Sequence, residues 1–147
     1  MSPTPQEIQD KFWKALESDR VMMLGIDGVE DGHTRPMTAQ VEERRGPIWF
    51  FSSNDNKMVS LLRERNRVTA TLSSKGHDLF ASVHGCLNVD NDRAVIARFW
   101  NPYVAAWFEG GQADPNLPLL RLDSVLAELW RSVSVIVAGA SMLIGAH

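Results

Sequence analysis

The sequence predicts a mainly β domain of the α+β kind, a small antiparallel barrel or sandwich with peripheral helices. Short apolar runs recur at Val21 to Ile26, Thr34 to Val41, Ile48 to Phe51, Val68 to Leu72 and Leu79 to Val89. Hairpin-type turn residues separate them, among them Asp27-Gly28 and Asp31-Gly32. Helical signals are confined to the N-terminus and to short stretches between strands. Several short antiparallel strands joined by such turns imply a small barrel or sandwich with peripheral helices.

The 147 residues suit one domain, 1–147. Hydrophobic residues at 44% and charged residues at 22% allow a normal core. The net charge of −3 gives no basic excess for nucleic acid or an anionic membrane. A lone cysteine, Cys86, rules out an intrachain disulfide and a multi-cysteine zinc site, and its apolar neighbours suggest a small buried hydrophobe. The polar N-terminus lacks the apolar core of a signal peptide, and no apolar run reaches the roughly 18 residues of a membrane span. A soluble, reducing, cytoplasmic setting is expected.

In order, Thr4-Pro5-Gln6-Glu7 is a capping box with proline at the first helical position. Ile8, Phe12, Ala15 and Leu16 form the stripe of that helix, which should stop near Ser18-Asp19. Pro36 cannot donate to a ladder, so the second strand lies at an edge or bulge, where backbone groups are open to a ligand. Asn54 or Asp55 is suited to cap a short helix whose inner face is Met58, Leu61 and Leu62. In the fifth run, Ala81, Val83, Gly85 and Leu87 share one face. Phe80, Ser82, His84 and Asn88 share the other, which is too polar for plain core. A helix follows Asp90 to Asp92, Asn101-Pro102 breaks it, and Tyr103 to Phe108 reads as a second short helix. Leu119 to Leu122 and Leu126 to Trp130 are expected as two late strands and Val133 to Ala138 as the last. Helix is one option for Ala140 to Ile144.

The chemistry concentrates between His33 and Lys57. Arg35 begins one strand, and Ser52, Ser53, Asn56 and Lys57 lie on the turn after the next. If those strands are hairpin neighbours, a guanidinium, an ammonium and hydroxyls converge, as a phosphate group requires. The alternative for the same residues is an ordinary solvated surface. No Ser-His-Asp, paired-carboxylate or metal-ligand spacing stands out.

These residues resemble the pyridoxamine 5′-phosphate oxidase-like, FMN-binding split-barrel superfamily, and within it the general stress protein 26 family. The resemblance rests on R-P-M at Arg35 to Met37, W-F-F-S-S at Trp49 to Ser53, Lys57 and A-S-V-H-G from Ala81. W-N-P at Trp100 to Pro102 and A-W-F-E-G-G at Ala106 to Gly111 extend it over nearly the whole chain. It implies a six-stranded antiparallel split β-barrel, a homodimer, and FMN at the subunit interface, with FAD, F420 or haem as alternative ligands of the same barrel. By this resemblance Arg35 and Lys57 hold the FMN phosphate, assisted by Ser52, Ser53 and Asn56. Pro36, Met37 and Thr38 lie along the isoalloxazine ring and Phe51 packs near it. Phe80, Ala81 and Ser82 line the pocket from the same subunit or its partner, and Trp107 approaches the partner's flavin unless it is core. The implied function is electron transfer from NAD(P)H through flavin, with a non-catalytic flavin-binding stress or sensor protein as the alternative. The chain lacks the basic and hydroxyl cluster that holds substrate phosphate in true pyridoxamine phosphate oxidases, so vitamin B6 oxidation is not expected. It also has Lys57-Met58 where many relatives carry two adjacent cations, the loss of roughly one charge-assisted hydrogen bond, about 1.5–3 kcal/mol.

Overall fold

The computed structural model describes residues 4–30, 32–42, 44, 46–53, 57–133 and 136–142, the last of these segments and residues 132 and 133 by backbone alone. Helix α1 (Pro5–Asp19) begins as the capping box predicts: the Thr4 hydroxyl accepts the Glu7 N–H at 3.1 Å. It ends at Arg20, whose left-handed φ of 62° lets its N–H reach the Leu16 carbonyl. The capping bond removes an orphan donor and the left-handed residue stops the helix.

Strands β1 (Val21–Ile26), β2 (Arg35–Val41) and β3 (Ile48–Phe51) form an antiparallel meander in the spatial order β3-β2-β1. Strand β4 (Arg67–Ser73) pairs with the far side of β1, and β5 (Leu79–Val89) with β4. Strand β6 (Leu119–Val133) then pairs with β5 and, through its first residues, with β3. The ring β3-β2-β1-β4-β5-β6 is therefore a closed six-stranded antiparallel barrel. Strand β7 (Ile136–Met142) pairs with the far half of β6, outside the ring.

Alternation builds the core. In β5, Leu79, Ala81, Val83, Gly85 and Leu87 are buried, and the residues between them are only half-buried. From α1, Ile8, Phe12, Trp13 and Leu16 join the same cluster as Leu24, Phe50 and Leu129. Each such side chain contributes about 1.5–3 kcal/mol by leaving water. A second cluster lies on the outer face of β3. There Trp49 packs with Val95 and Ile96 of α3 (Arg93–Phe99) and with Phe108, Leu117 and Leu119. Strand β3 is thus covered on both faces, which is why it reads as an unbroken apolar run.

The departures from sequence expectation are local. Leu119 to Leu122 and Leu126 to Trp130 belong to one strand, not two. The polar Asp123-Ser124 between them marks an irregularity: His84 pairs with Leu126 but Gly85 with Ser124, leaving Val125 unmatched and exposed. The short helix expected over Tyr103 to Phe108 is the single turn α4 (Pro102–Ala105). The last strand begins at Ile136 and runs through Ala140 to Met142, where helix was an option. Cys86 is half-buried on the outward face of β5, not a core residue. The capping positions Asn54 and Asp55 lie outside the described residues.

Candidate functional site

The outer faces of β2 and β3 form the floor of an open cleft of about 1120 Å³. The pairing of Ala39 with Phe50 brings the end of β3 alongside β2. Pro36, Met37, Thr38, Phe51, Ser52 and Ser53 all line the cleft. The segment from Asn101 to Asn116 supplies the opposite wall. It is held by Asn101, which caps α4 through the N–H groups of Tyr103 and Val104, and by Asp114, which accepts from Gly110 and Asn116. Those two N–H bonds hold the Asp114 carboxyl below its ordinary range.

Trp107 is not a core residue: it is 83% exposed, with Tyr103 at 85%, and both line the cleft. Side chains this large and this bare are unusual on a lone surface and ordinary at a binding site. One polar atom on the floor is also unmatched. Ser52 is 7% exposed, and its hydroxyl has no hydrogen-bond partner among the described residues. An unsatisfied buried hydroxyl costs about 1–3 kcal/mol, so a ligand acceptor or donor at this spot recovers that loss.

Arg35 does not line the cleft. Its guanidinium grips Glu30 in a two-pronged pair, with Nη1 donating to Oε1 at 2.8 Å and Nη2 to Oε2. That hydrogen bond is the chief reason the Glu30 carboxyl sits below its ordinary range. Burial opposes it, and the charges of Arg35, His33 and Lys57 act in the same direction as the bond. Arg35 and Lys57, the first residue of α2 (Lys57–Leu61), therefore both act on the Glu30 carboxylate, and neither lines the cleft. Lys57 is exposed, and Asn56 lies outside the described residues.

Because Glu30 has a depressed carboxyl, its contribution to stability is complete above its unfolded value. It is lost as pH falls through the folded one. Acid unfolding should accordingly steepen below about pH 4.3, and Glu30→Gln should flatten that limb when midpoints are followed by circular dichroism.

Phe80, Ala81 and Ser82 are not brought to this cleft. Ala81 is buried in the barrel, and Phe80 and Ser82 point outward from β5, which is separated from β2 by β4 and β1. Ser82 instead joins a polar chain. Thr69 donates to Asp27 at 2.9 Å, and the His84 ring lies 3.2 Å from both Thr69 and Ser82. Since the Thr69 proton goes to Asp27, Thr69 accepts from Nδ1–H of His84. On the same outward face Val21 and Met23 of β1 are exposed, and their cross-strand partners are Thr38 and Pro36 of the cleft floor.

The sequence model of the pyridoxamine 5′-phosphate oxidase-like family matches residues 7–146. The chain belongs to that family. Its structure is similar to that of a general stress family protein from Xanthomonas campestris pv. campestris, at 59% identity and TM-score 0.83, over 98% of this chain and 100% of that one. It is equally similar in sequence, 59%, to the general stress FMN/FAD binding protein of Xanthomonas citri, at TM-score 0.81 over 95% and 99% of the two chains. A general stress protein 26 from Jannaschia sp. CCS1 is 25% identical, with TM-score 0.80 over 94% and 99%. Protein bli-3 of Neurospora crassa is 23% identical over 85% of this chain, which spans 65% of that protein's length. The superfamily and the general stress branch are those expected from the motifs.

Gln40, Arg20 and Glu30 are among the residues of the site not singled out from sequence. Gln40 is buried at the far end of the cleft floor, Arg20 lines the cleft beside it, and Glu30 holds Arg35. Arg20 gave no signal because its place depends on a left-handed backbone that favours glycine.

Proposed function

We propose that this chain binds FMN in the β2–β3 cleft and passes electrons from NAD(P)H to a small acceptor. The observation that carries the proposal is the buried Ser52 hydroxyl, unpartnered among the described residues, in a cleft walled by Phe51, Tyr103 and Trp107. A hydroxyl with no partner among the described residues, in a cleft with exposed aromatic walls, suits a molecule with a hydrogen-bonding group at one end and a planar ring at the other. The 59%-identical protein from Xanthomonas citri, which is named for FMN/FAD binding, supports the same ligand class.

Ser52, Ser53, Asn56, Lys57 and Arg35 would hold the phosphate. Arg35 would give up part of its pairing with Glu30 to reach the phosphate, with Glu30 orienting the guanidinium. Pro36 presents no N–H, so Pro36 to Thr38 forms a flat strip for the ring, with Phe51 beside it. FMN, when bound, supplies hydride acceptance and electron release. The protein contributes binding, orientation and exclusion of water, and no side chain need serve as acid or base.

A second copy of the chain completes the site. Val21 and Met23 continue the cleft floor as one apolar surface, and Phe80 and Ser82 can meet a flavin only from a partner subunit. Among the described residues the cleft lining offers one cation, Arg20, where true pyridoxamine phosphate oxidases hold their substrate phosphate with a basic and hydroxyl cluster.

Adding NADPH or NADH to the FMN-loaded protein under nitrogen tests the electron-transfer step. Loss of the flavin absorption, restored by air, is the expected result. A flavin that stays oxidised for hours would reduce the function to binding alone.

A further inference from the structure

We infer that the Arg20 end of the cleft is a subsite for the anionic group of a small planar co-substrate, such as an aromatic carboxylate. The inference rests on the flavin reading above and names the second molecule that the site takes.

Arg20 is the only cation that lines the cleft among the described residues. It is also held in an uncommon way. Its backbone φ of 62° is left-handed, a conformation that costs a side-chain-bearing residue about 1 kcal/mol or more. The backbone is fixed on both sides: its N–H donates to Leu16 at 3.0 Å and its carbonyl accepts from Ala39 at 2.6 Å. The guanidinium is steered by Nε, which donates to the Glu17 carbonyl at 3.2 Å. Among the described residues Nη1 and Nη2 have no hydrogen-bond partner. Two adjacent N–H groups of a planar fork are thus presented with their direction already set, the arrangement that suits a carboxylate.

Position separates this fork from the phosphate end. Arg20 meets β2 at Ala39, whereas the strand begins at Arg35, four residues away, or about 13 Å. The two anion-binding ends therefore flank the flat strip of Pro36 to Thr38. A volume of about 1120 Å³ exceeds the ~300–1,000 Å³ that holds one ligand of drug size, so the cleft has room for a second ring. Tyr103 and Trp107 stand over that space with their faces bare. The carboxylates of the lining do not compete for the fork. Both oxygens of Asp114 are occupied by backbone N–H groups, and Glu109 is exposed on the far wall, where water screens it.

A matched pair of probes tests this: 4-nitrobenzoate and 4-nitrobenzyl alcohol, alike in shape but differing in charge. Each is titrated into the FMN-loaded protein while the visible spectrum of the flavin is followed. The wild type should bind the carboxylate at least tenfold more tightly than the alcohol. Arg20→Gly, whose backbone φ suits glycine and so does not threaten the fold, should bind the two within about threefold of each other. Equal affinities in the wild type, binding of neither probe, or a tenfold preference that survives in Arg20→Gly would each overturn the inference while leaving the flavin site intact. Failure of the wild type to take up FMN at all is the different result that removes both proposals.

Discussion

Gly85→Ala is expected to destabilise the protein by about 3 kcal/mol or more, an effect outside the usual range of single substitutions. A Cβ at this position would lie 2.2 Å from the Asp123 carbonyl oxygen and 2.9 Å from the Ser124 Cα. Both are backbone atoms of β6, paired to β5 at the place where the register shifts, so neither can swing aside as a side chain would. The barrel has to open locally or β5 has to slide, and β5–β6 is the longest pairing in the sheet. Gly111→Ala is the control. It has a positive φ of 68° but nothing within 4 Å of the added methyl, so only backbone strain of about 1 kcal/mol applies. Urea unfolding of the two variants should separate them clearly, Gly85→Ala having the far lower midpoint. Similar midpoints would show that the β5–β6 irregularity is pliable.

Lys57→Ala and Arg35→Ala should each weaken FMN binding at least tenfold, about 1.4 kcal/mol. The two losses differ in kind. Lys57 is exposed, so its removal deletes a charge and little else. Arg35 is mostly buried and paired, and its removal also strands the Glu30 carboxylate without a partner. Arg35→Ala should therefore lower thermal stability as well as affinity, whereas Lys57→Ala should lower affinity alone. Fluorescence titration with FMN, together with melting curves of the apo-proteins, reads both quantities. Unchanged FMN affinity in both variants would remove these residues from the phosphate site.

The strands of the meander were legible because burial alternates within them, as in β5, or because both faces are covered, as in β3. The hairpin relation of β2 and β3 followed from the same runs, and both strands contribute residues to the cleft floor. What escaped the sequence depends on backbone detail. Asp123-Ser124 looks like a turn, yet it lies within one strand whose distortion is absorbed at Val125 and admitted by Gly85. The run from Ala138 to Ser141 is small and lacks β-branched residues, so propensity gave no direction there, and the pairing with β6 decides its conformation. Trp107 looks like core by composition, but the short α4 leaves it on the rim. Glu30 was invisible as a partner of Arg35 because the turn that brings it back carries no periodic signal.

Comparing FMN with riboflavin tests the account most directly, since the two differ only in the phosphate that Arg35, Lys57 and Ser52 are assigned to hold. Titrating the apo-protein with each, by quenching of flavin fluorescence, should give FMN an affinity at least a hundredfold higher, about 2.7 kcal/mol. Equal affinities would mean that the phosphate finds no partner in the cleft, and the assignment of this site would be wrong.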